Sequence, residues 1–128
     1  MLKMFLKMFA MLAFVGFASG AFAGEQPYSE AQFTKAVGQG QPVVVWFHAN
    51  WCPTCRAQQP LVDRLAGSAE MKPVTVFVAD FDKETVLKKS LGVAQQSTFV
   101  VFRNGHEVTR STGETDERAI RATWEKAL

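Results

Sequence analysis

Val43-Val44-Val45-Trp46-Phe47-His48-Ala49-Asn50-Trp51-Cys52-Pro53-Thr54-Cys55 runs from an unbroken apolar stretch straight into the only two cysteines of the chain. An apolar run of this kind, opened by Pro42, suits a strand buried on both faces. A disulfide between Cys52 and Cys55 would close too short a loop to constrain the unfolded chain, so stability is a poor reason for the pair. A dithiol that gains and loses two electrons is a better one. Metal binding competes with it, because Cys-x-x-Cys is half of many zinc sites, but such sites need two further ligands. Only His48 and His106 remain as histidines, and they lie far apart in the sequence.

On either side of this stretch the elements alternate. Ser29 followed by Gln32 resembles a capping box, Phe33 and Val37 fall on one face, and Gly38 follows, which predicts a helix over residues 29 to 37. A second helix is expected from Pro53 to about Ala69, with Pro60 kinking it. Val74 to Ala79 reads as another buried strand, and Asp82 to Leu91 as a helix ended by Gly92. Asn104-Gly105 is a strong hairpin signal between Thr98–Phe102 and Glu107–Arg110. A last helix follows Gly113, with Ile120, Trp124 and Leu128 recurring every fourth residue. Strands and helices in this order predict an α/β fold, a central sheet covered by helices.

The first residues carry an address. Lys3 and Lys7 precede an uncharged stretch from Met8 to Phe22, and Ala21-Phe22-Ala23 fits the small-x-small cleavage rule, so residues 1–23 read as a signal peptide. The apolar run is shorter than the roughly 20 residues that a spanning helix requires. Residues 24–128 are then one mature domain, periplasmic or secreted, in a compartment where thiols persist only if something keeps reducing them. Of the 14 basic residues two fall in the signal, leaving twelve against 12 acidic residues, so the mature charge is zero and a basic nucleic-acid footprint is absent. No extended apolar heptad points to a dimerisation arm, and a monomer is expected.

Over nearly the whole of residues 24–128 the chain resembles the thioredoxin family. The resemblance rests on Trp51-Cys52-x-x-Cys55 after a buried strand, Pro60 beyond it, Asp80-x-Asp82 closing the next strand, Phe102-Arg103-Asn104-Gly105, and Gly113. It implies a thioredoxin fold, a mixed sheet with about four helices, and exchange of disulfides with protein or small-molecule thiols through Cys52 and Cys55, without a cofactor. An exported member needs a membrane partner to supply or remove electrons. Cys52 at a helix start faces unpaired amides and the positive end of the helix dipole, which favours thiolate, and the family implies the same. Cys52 is then the nucleophile and Cys55 the resolving thiol. Pro53 suits the first helical turn, Thr54 is the side chain expected nearest the sulfurs, and Trp51 offers a flat apolar rim for a substrate chain.

Three positions depart from the family pattern. Thioredoxins usually carry an acid in the buried strand where this chain has Trp46, so either Cys55 is deprotonated through water or another group assists the resolving thiol. His48 shares strand parity with Trp46 and is expected to lie under the active-site turn, hydrogen-bonded to Asp82. The family's cis-proline position holds Ser97, in Gln95-Gln96-Ser97-Thr98, and a non-proline cis bond costs about 2.5 to 4 kcal/mol, so Gln96–Ser97 is expected trans. Gln96 and Ser97 then add polar groups beside the dithiol at the substrate-binding loop. Val78 stands where some thioredoxins carry a lysine, and with Trp46 it is expected to fill the space as an apolar pair. The alternative function is a non-catalytic module holding copper or zinc through Cys52, Cys55 and His48.

Overall fold

The computed structural model describes residues 24–128, so the signal-peptide reading of residues 1–23 lies outside the described residues. Five strands form one mixed sheet in the order β1-β3-β2-β4-β5. They are β1 (Gly24–Pro27), β2 (Val43–His48), β3 (Thr75–Asp80), β4 (Thr98–Arg103) and β5 (His106–Thr112). β3 runs parallel to both β1 and β2, whereas β4 is antiparallel to β2 and β5. Four helices, α1 (Glu30–Gly38), α2 (Pro53–Ala66), α3 (Thr85–Leu91) and α4 (Glu117–Glu125), complete the α/β fold.

The sheet buries both faces because its central strand is apolar throughout. Val44 and Trp46 point one way, into a cluster with Val62 and Leu65 of α2 and Ile120 and Trp124 of α4. Val43, Val45 and Phe47 point the other way, against Ala36 and Phe33 of α1 and Leu87 of α3. The period of two along β2 thus feeds two cores, and a one-residue slip would exchange them.

Local signals set most of the helix ends. The Ser29 hydroxyl accepts from the Gln32 amide at 3.4 Å, Asp116 caps α4 through the Ala119 amide at 3.0 Å, and Gly92 ends α3 in the left-handed region at φ 65°. α2 continues through Pro60 to Ala66, three residues short of its expected end. α3 starts at Thr85 rather than Asp82, because Asp80 builds a turn there: its Oδ1 accepts the amides of Asp82 at 2.9 Å and Lys83 at 3.2 Å. In α4 the expected repeat ends early, with Leu128 exposed and Ala127 buried in its place.

Candidate active site

Helix α2 begins at the dithiol. Cys52 is its N-cap, with extended backbone, and its sulfur accepts the Cys55 amide at 3.3 Å. Pro53 occupies the first turn, where a missing N–H leaves nothing unpaired. Both cysteines are unbridged thiols. Cys52 is 2% exposed and Cys55 fully buried, and Cys52 lies in a cleft of about 360 Å³ walled by Thr54, Gln95, Gln96, Ser97, Thr112 and Gly113.

The hydroxyl at the sulfurs belongs to Ser97, not Thr54. Ser97 Oγ stands 3.2 Å from Sγ of Cys52 and 3.1 Å from Sγ of Cys55. Among the described residues Thr54 makes no hydrogen bond to either sulfur. Burial opposes ionisation at Cys52, but the Ser97 hydroxyl and the Cys55 amide outweigh it and bring this thiol from 9.0 down to about 7. At Cys55 burial prevails over the same hydroxyl and raises the thiol. Its sulfur also faces the Phe47 carbonyl at 4.0 Å, an acceptor that suits a protonated thiol. The pair is therefore polarised into a thiol at the cleft that ionises readily and a buried partner that keeps its proton.

Ser97 is held firmly in an uncommon conformation. No peptide bond among the described residues is cis, so Gln96–Ser97 is trans, and Ser97 itself has φ 60°. A left-handed non-glycine residue costs about 1 kcal/mol or more and persists only when its surroundings fix it. Here the Ser97 amide donates to the Phe47 carbonyl at 2.8 Å, and its own carbonyl accepts the Gly113 amide at 2.9 Å. That carbonyl also accepts Nε2 of Gln58 at 3.3 Å.

Gln58 was not among the residues that the motif reading singled out. Its Oε1 accepts the Trp46 indole N–H at 2.9 Å and its Nε2 also donates to the Glu114 carbonyl at 2.8 Å. The signal was present, since Cys55, Gln58, Val62 and Leu65 follow one buried helical stripe, where a lone glutamine needs partners. The expected apolar filling of Trp46 and Val78 is corrected accordingly. Val78 does pack beside the cluster of Trp46, but the indole brings a buried donor that only Gln58 satisfies.

His48 and Asp82 do not meet through a hydrogen bond. Asp82 Oδ2 accepts the Trp51 indole N–H at 2.7 Å instead, because the Asp80 turn presents its carboxylate to that ring. His48 shares the Trp46 side of β2 as its parity requires, and lies edge-on to that indole with centroids 4.7 Å apart. Burial lowers its pKa, and Asp80, its partner in register, partly opposes this. Among the described residues no group of three His, Cys, Asp or Glu could hold a metal ion, so the metal alternative lacks the third ligand expected of His48. Trp51 is 57% exposed, beside the cleft.

The thioredoxin family model matches residues 25–126. A thioredoxin from Chlamydia muridarum is 33% identical over 95 residues, covering 74% of this chain and 90% of that protein. Thioredoxin Asp f 29 from Aspergillus fumigatus is 34% identical over 94 residues, covering 70% and 86%. Among solved structures, Trxlp from Edwardsiella tarda EIB202 superposes with a TM-score of 0.74 at 39% identity, covering 77% of this chain and 95% of that one. The similarity runs through the sheet, the helices and the dithiol alike, so this chain belongs to the thioredoxin family and carries the Cys-x-x-Cys pair of a thiol-disulfide oxidoreductase.

Proposed function

We propose that this oxidoreductase works outside the cytoplasm, released by cleavage after Ala23, with Cys52 as nucleophile and Cys55 as resolving thiol. One observation carries the assignment of roles: Cys52 caps the start of α2 and lines the cleft, whereas Cys55 is fully buried, outside the cleft lining, with its sulfur toward the Phe47 carbonyl; the thiols shift accordingly, Cys52 down and Cys55 up. Thiolate Cys52 attacks a substrate disulfide, forming a mixed disulfide and releasing one substrate thiol. Cys55 attacks Cys52 Sγ, closing the intramolecular disulfide and releasing the second. Run in this direction the protein is left oxidised by two electrons and a membrane partner supplies electrons to restore the dithiol; run in reverse, the disulfide oxidises substrate thiols and the partner removes electrons.

Substrate geometry follows from the cleft. Trp51 offers an aromatic platform, and the Gln96 backbone N–H donates to no protein group among the described residues, leaving it to pair with an extended substrate strand. The basic, apolar and small-residue pattern of residues 1–23 supports export.

Insulin reduction by the purified domain tests the activity. Wild type is expected to turn over, Cys52→Ser to be inactive, and Cys55→Ser to accumulate a mixed disulfide. Failure of the wild type together with stoichiometric copper or zinc in the purified protein would replace this reading with the binding module. Cell fractionation and the mass of the mature N-terminus test export, with Gly24 expected first.

A further inference from the structure

Cys55 must ionise to resolve the mixed disulfide, and its surroundings offer little help. Among the described residues, no carboxylate, lysine, arginine or histidine side chain hydrogen-bonds to either sulfur or to Ser97 Oγ. His48, the closest histidine in sequence, packs on Trp46, and Arg56, next to Cys55 in the chain, is exposed and hydrogen-bonds to neither sulfur. The one side-chain group other than the cysteines in contact with both sulfurs is the Ser97 hydroxyl, 3.2 Å from Cys52 and 3.1 Å from Cys55.

We propose that Ser97 is a catalytic residue whose single hydroxyl proton is handed to whichever sulfur carries the charge, stabilising first the Cys52 thiolate for attack and then the Cys55 thiolate for resolution. This rests on the oxidoreductase reading above. A hydroxyl has one proton to donate and lone pairs to accept. In the reduced protein it donates to the Cys52 thiolate and accepts from the Cys55 thiol, so all three groups are satisfied. Once Cys52 is joined to substrate its sulfur is neutral, and rotation about the Ser97 Cβ–Oγ bond turns the proton to Cys55. Cys55 gives up its proton to solvent, its thiolate attacks Cys52 Sγ, and the bond from Cys52 to the substrate sulfur breaks. Cys55 is oxidised, the substrate sulfur is reduced, and the departing thiolate takes a proton from solvent.

The backbone makes the donor dependable. Ser97 is fixed by Phe47, Gly113 and Gln58, and Gln58 is fixed in turn by Trp46, so the hydroxyl turns about one bond while its carbon frame stays in place.

Ellman's reagent separates the two steps. Attack by Cys52 on 5,5′-dithiobis(2-nitrobenzoate) releases one coloured thiolate, and resolution by Cys55 releases a second. Ser97→Ala and Ser97→Gly are compared with wild type by stopped flow across pH; glycine accepts φ 60° without strain, so the fold is retained. Both variants are expected to move the midpoint of the first release upward by about one pH unit and to slow the second release roughly tenfold. A folded Ser97→Gly variant with the midpoint and the second release both unchanged would overturn the role of Ser97. A shifted midpoint with an unchanged second release would overturn the handover. Insulin turnover by wild type is scored separately, so loss of that activity refutes the oxidoreductase reading while the thiol titration still judges Ser97.

Discussion

The indole nitrogen of Trp46 donates to Oε1 of Gln58 at 2.9 Å, and Nε2 of the same amide donates to the carbonyls of Ser97 and Glu114. Gln58→Leu has a similar volume but leaves the indole donor and the two carbonyls without this partner. An unsatisfied buried group costs about 1–3 kcal/mol, so urea unfolding is expected to show a loss of about 3 kcal/mol. Trp46→Phe removes the stranded donor, and a double-mutant cycle with Gln58→Leu is expected to give a coupling of about 1 kcal/mol. Additive single effects would mean that the bond contributes nothing to stability.

Restoring the family's proline at position 97 will not restore the family's loop. Proline requires φ near −65° and has no N–H, whereas Ser97 has φ 60° and donates to Phe47 at 2.8 Å. Ser97→Pro is expected to cost about 3 kcal/mol by thermal or urea unfolding. A variant as stable as wild type would show that the loop converts freely.

Asp82 steers Trp51 rather than His48. Asp82→Ala releases the indole from its 2.7 Å bond at an exposed rim, so stability is expected to change by less than about 1 kcal/mol. Reduction of insulin should weaken about threefold, mostly in KM, while reaction with a small aromatic disulfide stays within about twofold. Equal losses on both substrates would place Asp82 at the chemistry instead.

The thiol pair makes two linked statements about pH. Carbamidomethylation of Cys52 should rise with a midpoint near 7, whereas Cys55 in the Cys52→Ser background should stay unreactive at that pH. For the reduced protein, an unfolded Cys52 keeps its proton up to about 9 while the folded one has lost it above about 7. The unfolded chain thus binds more protons between these values, and stability rises with pH across that window by something on the order of 2 kcal/mol. The contribution is complete above the unfolded value and lost as pH falls through 7. Cys52→Ser should flatten the curve, which denaturation of the reduced proteins at several pH values would check.

The central sheet could be read ahead of the structure because β2 and β3 are apolar on both faces and β4 ends in an Asn-Gly turn. Strand β1 could not. Gly24-Glu25-Gln26-Pro27 carries no apolar period, and it is a strand only because the exposed edge of β3 pairs with it. At the site, the spacing of Cys52 and Cys55 and the place of Ser97 were legible from the motif. The Asp82 partner was not, since parity shows which face His48 takes but not that the Asp80 turn carries Asp82 over to Trp51. The burial of Gln58 is legible from the helical stripe it shares with Cys55, Val62 and Leu65, but its partners are not, since they lie 12, 39 and 56 residues away.

Ser97 lies 45 residues from Cys52 and 42 from Cys55 along the chain. Until β4 has docked beside β2, the two sulfurs lack this hydroxyl, and Cys52 keeps only the local help of the Cys55 amide at the helix start. Part of the reactivity is thereby made conditional on maturity: a chain whose sheet has not closed, or one that has misfolded, carries a blunter nucleophile that is less readily trapped on the wrong partner. The rate at which Cys52 takes up a thiol reagent is then also a clock for the closing of the sheet.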